Sequence, residues 1–145
     1  MRLYSEYLLP RVYDWLMDRP FLRERRREQL TSASGNVLEI GIGTGLNLPH
    51  YPRSITEITA VDPNLGMNAM LQRRLRTVDL RVHLHPVSGE RLPFADESFD
   101  CVVSTLVLCS IPDVERVVAE VYRVLKPNGR YLFLEHGRVA VTSHY

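Results

Sequence analysis

A doubly wound α/β domain is the fold that this sequence predicts, and three observations carry the prediction. From residue 36 onward, apolar runs of strand length alternate with stretches of helical periodicity, the pattern of a parallel sheet covered on both faces. The first run, Val37-Leu38-Glu39-Ile40, ends in the glycine-rich turn Gly41-Ile42-Gly43-Thr44-Gly45. The second run ends in Asp62. A strand that feeds a glycine turn lets the backbone come close to a ligand, and a carboxylate ending the neighbouring strand is placed to grip a ribose. These residues read as a nucleoside-cofactor pocket.

Each element has its own signal. Residues 1–34 carry helical periodicity: Leu8, Leu9, Val12, Tyr13, Leu16 and Met17 recur at spacings of three and four and form one apolar stripe. Pro20 interrupts the pattern, and a second short helix follows over 21–30. Its run Arg23-Glu24-Arg25-Arg26-Arg27-Glu28 interleaves both signs, which favours a solvated face over a membrane-surface role. The chain is therefore divided into an N-terminal helical cap, 1–34, and a cofactor-binding domain, 35–145.

Strands are predicted at 36–40, 57–62, 79–85, 99–104 and 130–135. In the third, Leu80, Val82 and Leu84 alternate with Arg81, His83 and His85, so one face is wet and the strand belongs at a sheet edge. After the glycine turn, Pro49 and Pro52 limit any helix to about a turn. Val114, Val117, Val118, Val121, Val124 and Leu125 trace a helical face with Asp113 as its N-cap, and Pro127-Asn128-Gly129 turns the chain into the fifth strand.

Composition narrows the function classes. The 145 residues make one domain able to bury roughly 68–70% of the unfolded surface. A net charge of +1 offers no concentrated basic field for nucleic acid. Cys101 and Cys109 are the only cysteines, and their spacing suits neither a metal site nor a disulfide framework, so a reducing cytoplasm fits best. No apolar stretch approaches the roughly 20 residues of a spanning helix, and residues 1–10 lack a signal-peptide core. The expectation is a soluble or at most peripheral protein.

The glycine spacing separates two ligand classes. Dinucleotide dehydrogenases use G-x-G-x-x-G, whose third glycine falls at Leu46 here, whereas this chain places it at Gly45. Glu39 is costly to bury unless hydrogen-bonded, so it is expected to face the loop amides or a bound ammonium. His83 and His85 share a strand face, but no third metal ligand accompanies them. No metal is expected.

From here the chain resembles the class I S-adenosylmethionine-dependent methyltransferases. The stretch 37–45 is similar to the family's first motif, Val61-Asp62-Pro63-Asn64 to its second, and Ser88-Gly89-Glu90-Arg91-Leu92-Pro93-Phe94 to its adenine-side loop. Asp96-Glu97-Ser98-Phe99-Asp100 and Leu125-Lys126-Pro127-Asn128-Gly129 continue the likeness in order. The resemblance implies a Rossmann-like sheet of strand order 3-2-1-4-5 and S-adenosylmethionine as cofactor. It implies Glu39, Gly41, Gly43, Thr44, Gly45 and Asn47 on the methionine side, and Asp62, Pro63, Asn64 and Met67 at ribose and adenine. Ser88, Gly89 and Glu90 fall at the adenine edge, with Thr105 and Leu106 beneath the cofactor.

A narrower resemblance lies in Asn47-Leu48-Pro49-His50-Tyr51-Pro52, in 105–110 and in Glu135-His136. These are similar to a methyltransferase-like group with membrane-associated thiol methyltransferases, and to bacterial phosphatidylethanolamine N-methyltransferases. A small-molecule or lipid-like acceptor is implied, with peripheral membrane contact as a corollary. Two departures stand out. Ser88 replaces an acid found in many relatives, and the sequence stops where the family continues through a helix and two further strands. Tyr131-Leu132-Phe133-Leu134 would then offer an apolar edge, which predicts homodimer pairing through that strand, or else a shortened chain.

Methyl transfer chiefly needs alignment and exclusion of water, so no residue is assigned as catalytic. His136 is the topological candidate for a base, against a plain loop histidine. Tyr13 and Tyr51 are placed to close over the cofactor, against a core role. The alternatives are a nicotinamide-dependent oxidoreductase, opposed by the glycine spacing, and a cofactor-binding protein without transfer activity.

Overall fold

The computed structural model describes residues 8–64 and 68–136. Five parallel strands, β1 (Val37–Ile40), β2 (Glu57–Val61), β3 (Arg81–His85), β4 (Phe99–Thr105) and β5 (Leu125–Leu134), form one sheet ordered β3-β2-β1-β4-β5. The helices are α1 (Leu9–Met17), α2 (Pro20–Leu30), α3 (Asn68–Leu75) and α4 (Val114–Val124), with single 3-10 turns at Leu48–His50 and Leu108–Ser110. This is the doubly wound α/β order that the sequence predicts, with β3 at one edge.

The strand pleat divides the core in two, because successive side chains point to opposite faces. Val37, Cys101 and Val103 pack with Leu30 of α2, Leu71 of α3 and Tyr51. Leu38, Ile40 and Val102 point the other way and pack with Val117, Val121 and Val124 of α4. The helical spacing of those three valines buries one stripe of α4 completely, and each contributes about 1.5–3 kcal/mol. Asp113 caps α4 by accepting from Arg116 N–H at 3.0 Å.

Two expectations are corrected by packing, and one pattern is placed by it. The apolar stripe of α1 is largely uncovered: Leu8, Leu9, Val12 and Leu16 are 44–52% exposed and Trp15 is 68% exposed, while of the stripe only Tyr13 and Met17 turn partly inward. Periodicity marks a stripe without saying what covers it. In α2 the charged run is not wholly solvated, since Arg26 is buried beside Leu30. The fifth strand starts earlier than 130, because Leu125 pairs with Phe99 before the Lys126-Pro127-Asn128-Gly129 turn bulges out and Arg130 resumes opposite Cys101. Among the described residues β5 pairs only with β4, and Phe133 is half exposed.

Candidate functional site

At the C-terminal ends of β1, β2 and β4, where the winding reverses, the loops splay apart around a cleft of about 560 Å³. Gly41, Gly43, Asp62, Pro63, Asn64, Ser88, Gly89, Glu90, Thr105 and Leu106 all line it, with Tyr13, Val107 and Ile111 completing the walls. Ten of the sequence-derived residues thus meet at one crevice. Met67 lies outside the described residues.

The central link runs between the first two strands. Gly41 N–H donates to Val61 O at 2.8 Å, and Gly43 N–H donates to Asp62 Oδ2 at 2.8 Å. Asn64 N–H donates to Asp62 Oδ1, also at 2.8 Å. An ionised carboxylate offers about four lone-pair sites, so two amides leave acceptor capacity on the half-buried Asp62 for a ligand's hydroxyls. Gly41 has φ +74° and a Cβ there would overlap Val107 Cγ2, so the glycine loop and the loop after β4 touch only because this position is bare.

Glu39, Thr44 and Asn47 sit below that loop instead, around a small adjoining cavity, and Gly45 packs under Leu48 and Leu71. Strand parity explains Glu39: it shares the face of Val37, which α2 covers. Its partners are side chains, not the expected loop amides. Asn47 Nδ2 donates to Oε1 and the Tyr51 hydroxyl donates to Oε2, both at 2.8 Å. Complete burial raises the Glu39 pKa to about 7, opposed by those two hydrogen bonds and by Arg26. Tyr51 is therefore a buried support of Glu39 and does not close over the cleft. Asn47 also donates to Thr105 Oγ1 at 2.9 Å, and Thr105 donates to Gln29 Oε1 at 2.8 Å.

On the opposite wall, α4 pins the loop that carries Ser88, Gly89 and Glu90. Arg116 Nε donates to Glu90 O at 3.2 Å, Leu92 N–H donates to Glu120 at 2.8 Å, and Arg123 donates to Phe94 O at 2.7 Å and Leu92 O at 3.1 Å. Arg123 also bonds both Glu120 oxygens, and that pairing is the main reason the Glu120 pKa falls to about 2.

Two further clamps hold the mouth. Asp14 of α1 accepts from Arg74 Nη1 at 2.9 Å and Nη2 at 2.7 Å and from the Thr44 hydroxyl, which fastens α1 to the glycine loop and places Tyr13 on the cleft wall. Beyond β5, Glu135 Oε1 accepts from both Val107 N–H and Leu108 N–H at 2.9 Å. That carboxylate holds a turn in which Leu106 has a positive φ of 55°. His136, the base candidate, is exposed and does not line the cleft. His83 bonds Glu57 at 3.2 Å and His85 packs edge-on to Phe94; among the described residues no group of His, Cys, Asp or Glu is arranged to hold a metal.

Sequence reasoning missed Arg26, Gln29, the Asp14–Arg74 pair and Glu135. A signal for Arg26 existed: Leu22, Arg26, Gln29 and Leu30 share one helical face, the face that turns inward.

A parallel sheet with a glycine loop and an acidic strand end at its switch point defines a nucleoside-cofactor-binding domain. Residues 38–133 match the family model of the methyltransferase domain. The chain belongs to that family, whose cofactor is S-adenosylmethionine. It is 39% identical over 107 residues to a human thiol S-methyltransferase, covering 70% of this chain and 42% of that protein. It is 32% identical over 129 residues to the phosphatidylethanolamine N-methyltransferase of Cereibacter sphaeroides, covering 86% and 63%. Among solved structures, an S-adenosylmethionine-dependent methyltransferase from Thermotoga maritima superposes with a TM-score of 0.65 at 28% identity, covering 90% of this chain and 59% of that one. The N-methyltransferase NodS of Bradyrhizobium japonicum, solved with S-adenosylhomocysteine, shares the fold at a TM-score of 0.69 and 22% identity, covering 89% and 72%. The chain thus spans about half the length of the curated relatives it matches.

Proposed function

We propose that the protein is an S-adenosylmethionine-dependent methyltransferase acting on a small or lipid-like acceptor. The observation that carries this reading is the Asp62 carboxylate, tied to Gly43 N–H yet still open to the cleft. A cleft of about 560 Å³ falls within the common range of cofactor sites, and its mix of carboxylate, amides and apolar wall fits an adenosine attached to an amino acid.

When bound, the cofactor supplies a methyl group on a sulfonium that is its own leaving group. Asp62 would take the ribose hydroxyls, and the pinned Ser88-Gly89-Glu90 loop would border the adenine. Ile40, Val61, Leu106 and Ile111 make the walls apolar, which excludes water and aligns an incoming nucleophile. Burial raises the Tyr13 phenol pKa above its ordinary value, so at neutral pH it serves as a hydrogen-bond donor rather than a base.

The acceptor class rests on two supports. The curated relatives include proteins named for thiols and for phosphatidylethanolamine. The exposed apolar face of α1, with Arg19 stacked on Trp15, is suited to an acceptor presented from an apolar phase. Calorimetric titration with S-adenosylhomocysteine and with NAD, followed by a turnover screen of thiols, amines and phospholipids, tests the reading. Binding of the first ligand and turnover to S-adenosylhomocysteine support it; NAD binding without the first reverses it in favour of an oxidoreductase.

A further inference from the structure

Arg26 is the least satisfied polar side chain of the described protein. It is 4% exposed, yet none of the ion pairs among the described residues includes it. Its Nη1 donates to Asn47 Oδ1 at 3.1 Å and its Nη2 reaches Met17 O at a long 3.4 Å, while its buried Nε has no partner at all. The nearby carboxylates are otherwise engaged. Asp18 is paired with Arg23 at 2.8 Å, and Glu39 is separated from Arg26 by the Asn47 amide, which bonds to both. Glu39 and Asp18 favour its charge through space, but no carboxylate touches it; a desolvated guanidinium without a contacting counter-charge costs several kcal/mol, and an anion that settles beside it recovers much of that cost.

The position of the orphan shows where such an anion comes from. Arg26 lines the small cavity beneath the glycine loop, about 30 Å³, room for one water or the end of one polar group. Tyr13, Gly41, Gly43 and Thr105 line both this cavity and the main cleft, so the two spaces adjoin. No independent ligand fits in 30 Å³. A polyatomic anion reaching Arg26 through this space would be the terminus of a molecule that lies in the cleft.

We propose that Arg26 is the counter-charge for the amino-acid carboxylate of the cofactor, through a subsite entered between Tyr13 and the Gly41–Gly43 backbone. This rests on the S-adenosylmethionine reading above, whose amino-acid end carries that one carboxylate. The arrangement also gives the first two helices a role in cofactor binding. Through Arg26 and Tyr13 they complete the pocket, while α1 is fastened to the glycine loop by Asp14, Arg74 and Thr44.

The test compares two ligands by calorimetry on the whole chain: S-adenosylhomocysteine, and 5′-methylthioadenosine, which keeps the thioether nucleoside but lacks the amino-acid end, ammonium and carboxylate together. The wild type should prefer the first by at least about tenfold, as a charge-assisted contact provides. In Arg26→Met this preference should shrink at least about fivefold while methylthioadenosine affinity stays within about threefold; Arg26→Lys should restore part of it. Retention of the full preference in Arg26→Met overturns the proposal. Because the methionine variant also loses the bond to Asn47 and risks misfolding, the wild type is titrated in parallel with the carboxamide of S-adenosylhomocysteine, and equal affinity for acid and amide overturns it as well. If the wild type binds neither nucleoside, the cofactor reading itself fails; binding with an unchanged preference in the variant removes Arg26 alone.

Discussion

The Asp62 carboxylate and the Gly43 amide, 2.8 Å apart, join the end of β2 to the glycine loop after β1. The same carboxylate that is assigned to a ribose thus also shapes the loop that borders it. Asp62→Asn keeps one carbonyl oxygen for an amide but removes the charge. Affinity for S-adenosylhomocysteine should fall at least about tenfold, since hydrogen bonds to charged groups are worth about 1.5–3 kcal/mol each. The melting temperature should move by no more than about 4 °C, the effect of roughly 1 kcal/mol in a domain of this size. Unchanged affinity in the titration removes the ribose assignment.

Gly41→Ala should destabilise the fold for two separable reasons. The left-handed φ costs a non-glycine residue about 1–2 kcal/mol, and the new methyl overlaps Val107. Adding Val107→Ala removes the closest overlap, that with Cγ2, and leaves a tight approach to the Val107 Cβ at 2.9 Å together with the backbone cost. Urea unfolding of the two single variants and the double should therefore show the pair less destabilised than the sum of its parts, by at least about 0.5 kcal/mol. Simple additivity would mean that the two loops do not press on each other.

What could be read from the sequence divides along contact range. The strand pattern, the glycine loop, Asp62 and the Ser88-Gly89-Glu90 turn are local patterns, each carried by residues adjacent in the chain, whereas the strand order is implied by the family resemblance that those patterns support. The polar cluster under the loop is not. Arg26 meets Asn47 across 21 residues, Gln29 meets Thr105 across 76, and Arg74 meets Asp14 across 60, so no window of sequence contains both partners. Leu125 shows a different limit: it continues the apolar helical face of α4 yet already pairs with Phe99 as strand, and a pattern that satisfies both periods cannot place the boundary.

Two glutamates give the stability opposite pH slopes. Glu120 has a folded pKa lowered to about 2, so its contribution is present above pH 4.5 and is lost as pH falls from there toward 2. Glu39 has a folded pKa raised to about 7, so its contribution is full below pH 4.5 and is lost as pH rises from 4.5 through 7. The gap for Glu39 corresponds to about 3 kcal/mol at about 1.36 kcal/mol per pH unit. Glu39→Gln leaves an oxygen for Asn47 and an amide for the Tyr51 hydroxyl. Denaturant titrations between pH 5 and 8 should show stability falling in the wild type and a flatter profile in this variant; parallel profiles would place the titration elsewhere.

Glu135 offers the clearest separation of support from chemistry. Its Oε1 takes the amides of Val107 and Leu108, so Glu135→Ala leaves two half-buried N–H groups without their partner and frees the turn that holds Leu106 at φ 55°. A cost of about 1–3 kcal/mol is expected for groups left unsatisfied. Glu135→Gln keeps an acceptor oxygen at the same reach and should recover most of that stability. Because Leu106 and Val107 line the cleft but Glu135 does not, S-adenosylhomocysteine affinity should follow the state of the turn: weakened several-fold in the alanine variant and near wild type in the glutamine one. If both variants lose binding equally while the glutamine form stays stable, the negative charge itself acts on the ligand, and Glu135 belongs to the binding machinery and not to its scaffold.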